Sequence, residues 1–140
     1  MKKPGAFYWH PDKPPRAWHK RLKQMFTCHS LEWSGDRLSW VVLSDRRGYL
    51  YKDGALVDIE DVILLWPTGL RDKNGTEAYQ DDIVESGYLR LRILWSNKDG
   101  AFVLRHLDGR VSTFGLRELK MFKVIGNVHQ HPDLLKKEQP

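Results

Sequence analysis

Alternation is clearest between Tyr88 and Trp95, where Leu89, Leu91, Ile93 and Trp95 fall on one face and Arg90 and Arg92 on the other. A period of two with one apolar face predicts a half-buried antiparallel strand. Ile83-Val84 opens the strand region before it, and Ser96-Asn97-Lys98-Asp99-Gly100 turns the chain after it. Residues 101–107 return, Asp108-Gly109 turns again, and Arg110 to Phe114 read as one more strand. Leu116 to Leu119 fit a single helical turn, Phe122 to Val128 a last strand, and Asp133 the cap of a short helix reaching Leu135. Strands spaced by about 8–12 residues predict a sandwich or small barrel. The expected fold is mostly β, with a small SH3-like barrel core and additional N-terminal strands and loops.

The first half is less regular. Leu38 to Leu43 is β-rich and stops at Asp45-Arg46-Arg47-Gly48. Tyr49-Leu50-Tyr51 runs into Lys52-Asp53-Gly54, and Asp-Gly favours a tight hairpin because glycine accepts positive φ. Val62 to Trp66 predicts a short buried strand stopped by Pro67. Trp18, Leu22, Met25 and Phe26 fit either a short helix or a strand pair. Residues 1–15 carry Pro4, Pro11, Pro14 and Pro15 around Phe7, Tyr8 and Trp9, which forbids helix and predicts an extended arm. The division expected is this arm, a single β domain over 16–135, and a polar tail over 136–140.

A chain of 140 residues with 41% hydrophobic and 29% charged residues fits one globular domain. No apolar run approaches a membrane span, and no apolar segment follows Met1-Lys2-Lys3-Pro4-Gly5 as in a signal peptide, so the expected compartment is the cytoplasm. The lone Cys28 permits no internal disulfide and no cysteine-based zinc site. The net charge of +5 is unevenly spread. Residues 1–26 carry seven bases against Asp12 alone, while residues 53–85 carry nine acids against Arg71 and Lys73. Such polarity suits nucleic acid, an acidic partner, or self-association of basic face to acidic face.

Three segments read together. Arg16-Ala17-Trp18 is followed by Lys23-Gln24-Met25. A long middle motif runs from Thr68-Gly69-Leu70 through Asp72, Asn74-Gly75, Glu77 and Tyr79 to Asp82-Ile83-Val84. The end carries Val124-Ile125-Gly126-Asn127, then Pro132 and Leu134. This order and spacing resemble the YopX family of small phage and prophage proteins, from Arg16 to Leu135. The resemblance implies a mostly β fold with an SH3-like core and oligomeric association, favours strand for residues 18–26, and implies no established activity. One position departs: the family's usual glycine before Asp-Ile-Val is Asp81, a residue that tolerates positive φ less well than glycine.

The middle motif reads as structure first. Asn74-Gly75 suits a tight turn, Tyr79 can bury its ring, Asp82 can accept backbone N–H groups, and Gly126-Asn127 suit a bend. The functional alternative is a binding edge made of exposed Asp72, Lys73, Asn74, Glu77 and Asp81. Catalytic signatures are missing: no phosphate loop and no Gly-x-Ser-x-Gly elbow occurs. Cys28 and His29 point apart on a strand. His129 and His131 would share one face of a strand, with Asp133 or His106 as a third metal ligand, and Asp81, Asp82 and Glu85 could hold a cation; an incidental pair and a solvated acidic turn are the preferred readings. No metal, cofactor or catalytic residue is expected.

Two binding functions remain. The first is protein–protein interaction, through self-assembly or a host factor, with residues 1–15 as docking strand. The second is single-stranded or duplex nucleic acid, bound by Lys13, Arg16, Lys20, Arg21 and Lys23 with Tyr8, Trp9 and Trp18 as stacking platforms and Arg90 and Arg92 extending the path.

Overall fold

The strands form where apolar and polar residues alternate. The computed structural model describes residues 13–135, which fall into two compact units, 13–65 and 66–135. The fold is mostly β, with short 3-10 turns as its only helices among the described residues.

In the first unit, β1 (Arg16–His19), β2 (Gln24–Ser34), β3 (Arg37–Ser44), β4 (Val57–Asp58) and β5 (Val62–Leu65) form an antiparallel sheet in the order β4-β3-β2-β1-β5. Ala17, Phe26, Cys28, Val41, Leu43, Val62, Leu64 and Leu65 are buried. The Trp18–Phe26 stretch is a strand pair, with Trp18 opposite Met25 and Ala17 opposite Phe26. β2 and β3 join through a two-residue turn at Gly35-Asp36, where Gly35 takes φ +66° without steric cost. Their ladder shifts register between Cys28 and Ser30 and again between Glu32 and Trp33.

Lys52-Asp53-Gly54 does not close the expected hairpin. Tyr51–Gly54 is a 3-10 turn in which Lys52 (φ 48°) and Asp53 (φ 56°) are both left-handed. Tyr51 packs on Phe26 at 5.3 Å between ring centroids and on His19 at 6.1 Å. The chain is thus anchored before the turn, and Leu50 makes only an isolated bridge to Ser44. The Val62 strand ends at Leu65, and Pro67 opens the next strand instead of merely stopping this one. The first residue of a strand is where proline's missing N–H is tolerated.

In the second unit, β6 (Pro67–Arg71) pairs with β7 (Glu77–Tyr79). The strands β8 (Asp82–Ser86), β9 (Leu89–Ser96), β10 (Ala101–His106) and β11 (Lys123–Asn127) form a sheet in the order β10-β9-β8-β11. The predicted alternation in β9 holds: Leu91 and Ile93 are fully buried, and Arg90 and Arg92 lie half-buried opposite. Ala78, Val84, Leu91, Ile93, Leu104, Leu119 and Phe122 build the core. The 3-10 turn Leu116–Met121 contributes Leu119, and Phe114 packs edge-on against Phe122 at 5.4 Å.

The expected barrel is not closed, because β10 and β11 end the sheet on opposite sides. The strand expected over Arg110 to Phe114 shrinks to one bridge between Arg105 and Val111. Beyond it Ser112 Oγ accepts the Phe114 N–H at 2.9 Å, and Phe114 leaves the ladder for the core. The terminal 3-10 turn spans Pro132–Leu135, with Asp133 inside it.

Gly126 sits at a bulge where β11 shifts register against β8. A Cβ there would lie 2.7 Å from Leu134 Cδ1 and 2.8 Å from His131 Nδ1, and that nitrogen already accepts the Asn127 N–H. Gly126→Ala is therefore expected to cost about 1–3 kcal/mol. Chemical denaturation should show a lower midpoint at unchanged slope; an unshifted midpoint would refute the close packing.

Candidate functional site

Three carboxylates organise the second unit. Asp72 is buried at 6% exposure; its Oδ1 accepts the Asn74 and Thr76 N–H groups at 2.8 Å each, and its Oδ2 accepts the Val124 N–H at 2.8 Å. Gly75 completes the turn at φ +83°, its N–H reaching the Asp72 carbonyl at 3.0 Å. Thr68 Oγ1 donates to the Ala78 carbonyl and accepts the Leu70 N–H, bracing β6 around Gly69. Asp82 is buried; its Oδ2 accepts the Tyr79 N–H at 2.9 Å and its Oδ1 accepts the Asn127 side-chain amide at 3.0 Å.

Asp81, the departure from the glycine pattern, stands at φ 68°, so the position does use a left-handed residue. Its backbone is fixed on both sides, N–H to the Ile93 carbonyl and carbonyl to the Val128 N–H. Its side chain supplies what glycine could not: Oδ1 accepts Arg92 Nη2 at 3.1 Å, and Oδ2 accepts His129 Nε2 at 2.9 Å. Burial raises the Asp81 pKa, but the His129 hydrogen bond and then the Arg92 charge outweigh it, and the carboxyl lies below its ordinary range. For Asp72 likewise, burial raises and the backbone N–H bonds lower, with a net downward shift.

These positions correct the binding-edge reading. Asp72 and Asp81 are buried acceptors, since a run of turn N–H groups, and at Asp81 a guanidinium and an imidazole, are better satisfied by a carboxylate than by water; only Lys73 and Asn74 of that set are exposed. His129 and His131 lie in the turn after β11, not on one strand face, and each serves a different partner, Asp81 and the Asn127 N–H. Arg90 pairs with Glu85 at 2.8 Å and Arg92 with Asp81, so neither charge is uncompensated. Burial pushes the Cys28 thiol up to about 12. Among the described residues, no three His, Cys, Asp or Glu side chains are grouped to hold a metal.

Tyr8 and Trp9 lie outside the described residues. Arg16 and Trp18 are half-buried on β1, between β2 and β5, and Lys13 is half-buried just before it. Lys20, Arg21 and Lys23 are exposed together in the β1–β2 turn. His19 builds that turn: its Nδ1 accepts the Leu22 N–H at 3.2 Å, its carbonyl accepts the Lys23 N–H at 2.8 Å, and Lys23 takes φ 53°. His19 is 2% exposed, and burial, then the Arg21 charge, lower its pKa.

Beside this turn lies a cleft of about 390 Å³, lined by His19, Arg21, Trp40, Tyr51, Lys52, Asp58 and Asp61 with Ala55, Leu56 and Val57. A second cleft of about 350 Å³ adjoins it, sharing Trp40 and Asp58 and adding Ser34, Arg37, Ser39, Ile59 and Glu60. The hairpin carrying Trp33 and Trp40 is absent from the sequence-based site; Ser34-Gly35-Asp36 between two tryptophan-bearing strands was the signal for it.

Residues 16–136 match the family described as YopX protein. The chain belongs to the YopX family. Its fold is similar to the crystal structure of protein EF1440 from Enterococcus faecalis, with a TM-score of 0.63 at 22% identity, over 88% of this YopX chain and 97% of that one. No curated protein matches it. Among the described residues of this YopX chain, no helix is long and apolar enough to cross a membrane.

The buried groups set the acid limit of stability. His19, Asp72 and Asp81 all have folded pKa values below their ordinary ones, so the unfolded chain binds more protons and stability falls as pH drops. Loss from His19 begins below about pH 6.5, and loss from the aspartates below about pH 4. Thermal melts across this range should show two steps down. Asp81→Asn should flatten the lower step; an unchanged lower step would remove Asp81 from the account.

Proposed function

We propose that this YopX protein is a non-catalytic binding protein that works through protein–protein contact, by self-assembly or with a host factor. The observation that carries this reading is the outer end of the β2–β3 hairpin. Trp33 is 46% exposed and Trp40 38% exposed on adjacent strands, with half-buried Leu38 paired to Trp33 and two residues from Trp40. β1 pairs with β2 as far as Thr27, the Pro15 carbonyl takes the Cys28 N–H just beyond, and β4 pairs with β3 at Trp40 and Val41. The hairpin thus carries large, partly exposed aromatic side chains toward its outer end. Aromatic anchors of this kind are enriched at protein interfaces and carry much of their energy. Tyr49 and Leu56 add exposed apolar surface in the same unit.

The nucleic-acid reading keeps one supporting feature, the exposed Lys20, Arg21 and Lys23 of the β1–β2 turn. Arg90 and Arg92 no longer extend it, because guanidinium groups bridged to Glu85 and Asp81 offer little net charge to phosphates.

Sedimentation velocity tests the first reading. The wild type should self-associate with concentration or form a stoichiometric complex with an added partner, and Trp33→Ser with Trp40→Ser should weaken either by about tenfold or more. Fluorescence anisotropy with labelled single-stranded DNA, duplex DNA and RNA at two salt concentrations tests the second. Tight binding that falls steeply with salt, from a monomer indifferent to the tryptophan changes, would reverse the ranking.

A further inference from the structure

The cleft beside His19 has a chemistry that protein–protein contact does not use. Because His19 Nδ1 accepts the Leu22 N–H, the neutral ring carries its proton on Nε2, and that nitrogen has no hydrogen-bond partner among the described residues. Among the described residues Arg21 forms no ion pair, and the Lys52 ammonium lies over the Tyr51 ring, at 5.5 Å, with no carboxylate paired to it. Three donors, two of them cationic, therefore line the cleft, and both cationic groups act on His19. Trp40, also on the lining, stands opposite Asp58 across the β3–β4 ladder. The indole is a stacking surface, and the Asp58 carboxylate has one oxygen occupied by the Glu60 N–H. Asp61, also on the lining, brings a second carboxylate near the donors and offsets part of their charge.

We propose that this cleft binds a nucleoside monophosphate unit, either as a free nucleotide or as the 5′ end of an oligonucleotide. The phosphate sits with Arg21, Lys52 and the His19 Nε2–H. The base stacks on Trp40, and an amino or imino hydrogen of the base donates to Asp58. Guanidinium and ammonium groups are the usual phosphate ligands, and indole–base stacking is sequence-tolerant. The cleft volume of about 390 Å³ falls within the range of small-molecule sites, ~300–1,000 Å³. A purely apolar ligand would leave Arg21 and the His19 N–H unsatisfied, and an inorganic anion would leave Trp40 unused.

Isothermal titration calorimetry on the full chain at low salt tests this with AMP, adenosine, inorganic phosphate and a 5′-phosphorylated oligodeoxynucleotide. AMP should bind about tenfold or more tighter than adenosine or phosphate alone. Arg21→Ala with Lys52→Ala should abolish that advantage while leaving adenosine unchanged, and Trp40→Ala should weaken adenosine and AMP together. Arg46→Ala, an exposed arginine outside the cleft, should change nothing. Circular dichroism of each variant reports whether it is folded. A stronger oligonucleotide signal assigns the unit to a chain end, and a stronger AMP signal assigns it to the free nucleotide. No saturable binding of either ligand by the wild type at about 5 mM, or AMP binding indifferent to Arg21 and Lys52 in folded variants, would overturn the proposal.

Discussion

The second unit depends on buried aspartates that accept hydrogen bonds, through side chain or backbone, from distant stretches of chain. Its edge strand β11 must find β8 some forty residues earlier, and such a pairing has loop-closure entropy against it. Hydrophobic packing alone does not choose the register, because one face of β11 is only half-buried. The aspartates choose it. Asp72 takes the Val124 N–H, Asp82 takes the Asn127 side chain, and the Asp81 backbone takes the Val128 N–H. Each of these acceptors is also tied to its own local turn, so the turn and the strand order together.

That constraint explains the long sequence motif. Thr68, Asp72, Asn74, Gly75, Tyr79 and Asp82 alternate turn chemistry with acceptors, and the structure assigns nearly every one a hydrogen bond or a left-handed backbone to support. Asp81 shows how a local rule can be broken with compensation. An aspartate at φ 68° is strained relative to glycine, and Arg92 and His129 converge on it in return. A buried charge hydrogen-bonded by a guanidinium and an imidazole is tolerable where an isolated one is not.

Much of this was legible from residue types. The alternation of β9, the turn at Asn74-Gly75, the acceptor role of Asp82 and the special backbone at Asp81 all follow from side-chain period, glycine freedom and carboxylate valence. What was not legible shares one cause. Asp72 reads as exposed because its neighbours are polar, and only the fold brings the Val124 N–H to its second oxygen. Lys52-Asp53-Gly54 reads as a hairpin because the dipeptide is local, whereas its true conformation follows from Tyr51 docking on His19 and Phe26. His129 and His131 read as a pair because they are two apart, yet they lie in a turn where that spacing does not mean one face.

The first unit shows the same logic at a site instead of a seam. A histidine in a run of bases looks unremarkable in sequence, between Trp18 and Lys20. Folded, it is the most buried polar side chain of its turn, and its job as acceptor for Leu22 decides which nitrogen keeps the proton. The tautomer is thereby set by the turn and not by any ligand. A donor fixed in this way carries no cost of reorganisation when an acceptor arrives. The exposed Lys20 is held at the Glu60 carbonyl, which keeps the turn in place while Arg21 stays uncommitted. One structural histidine thus places part of a basic stretch, whose sequence suggests only diffuse attraction, on the lining of a cleft that also holds Trp40.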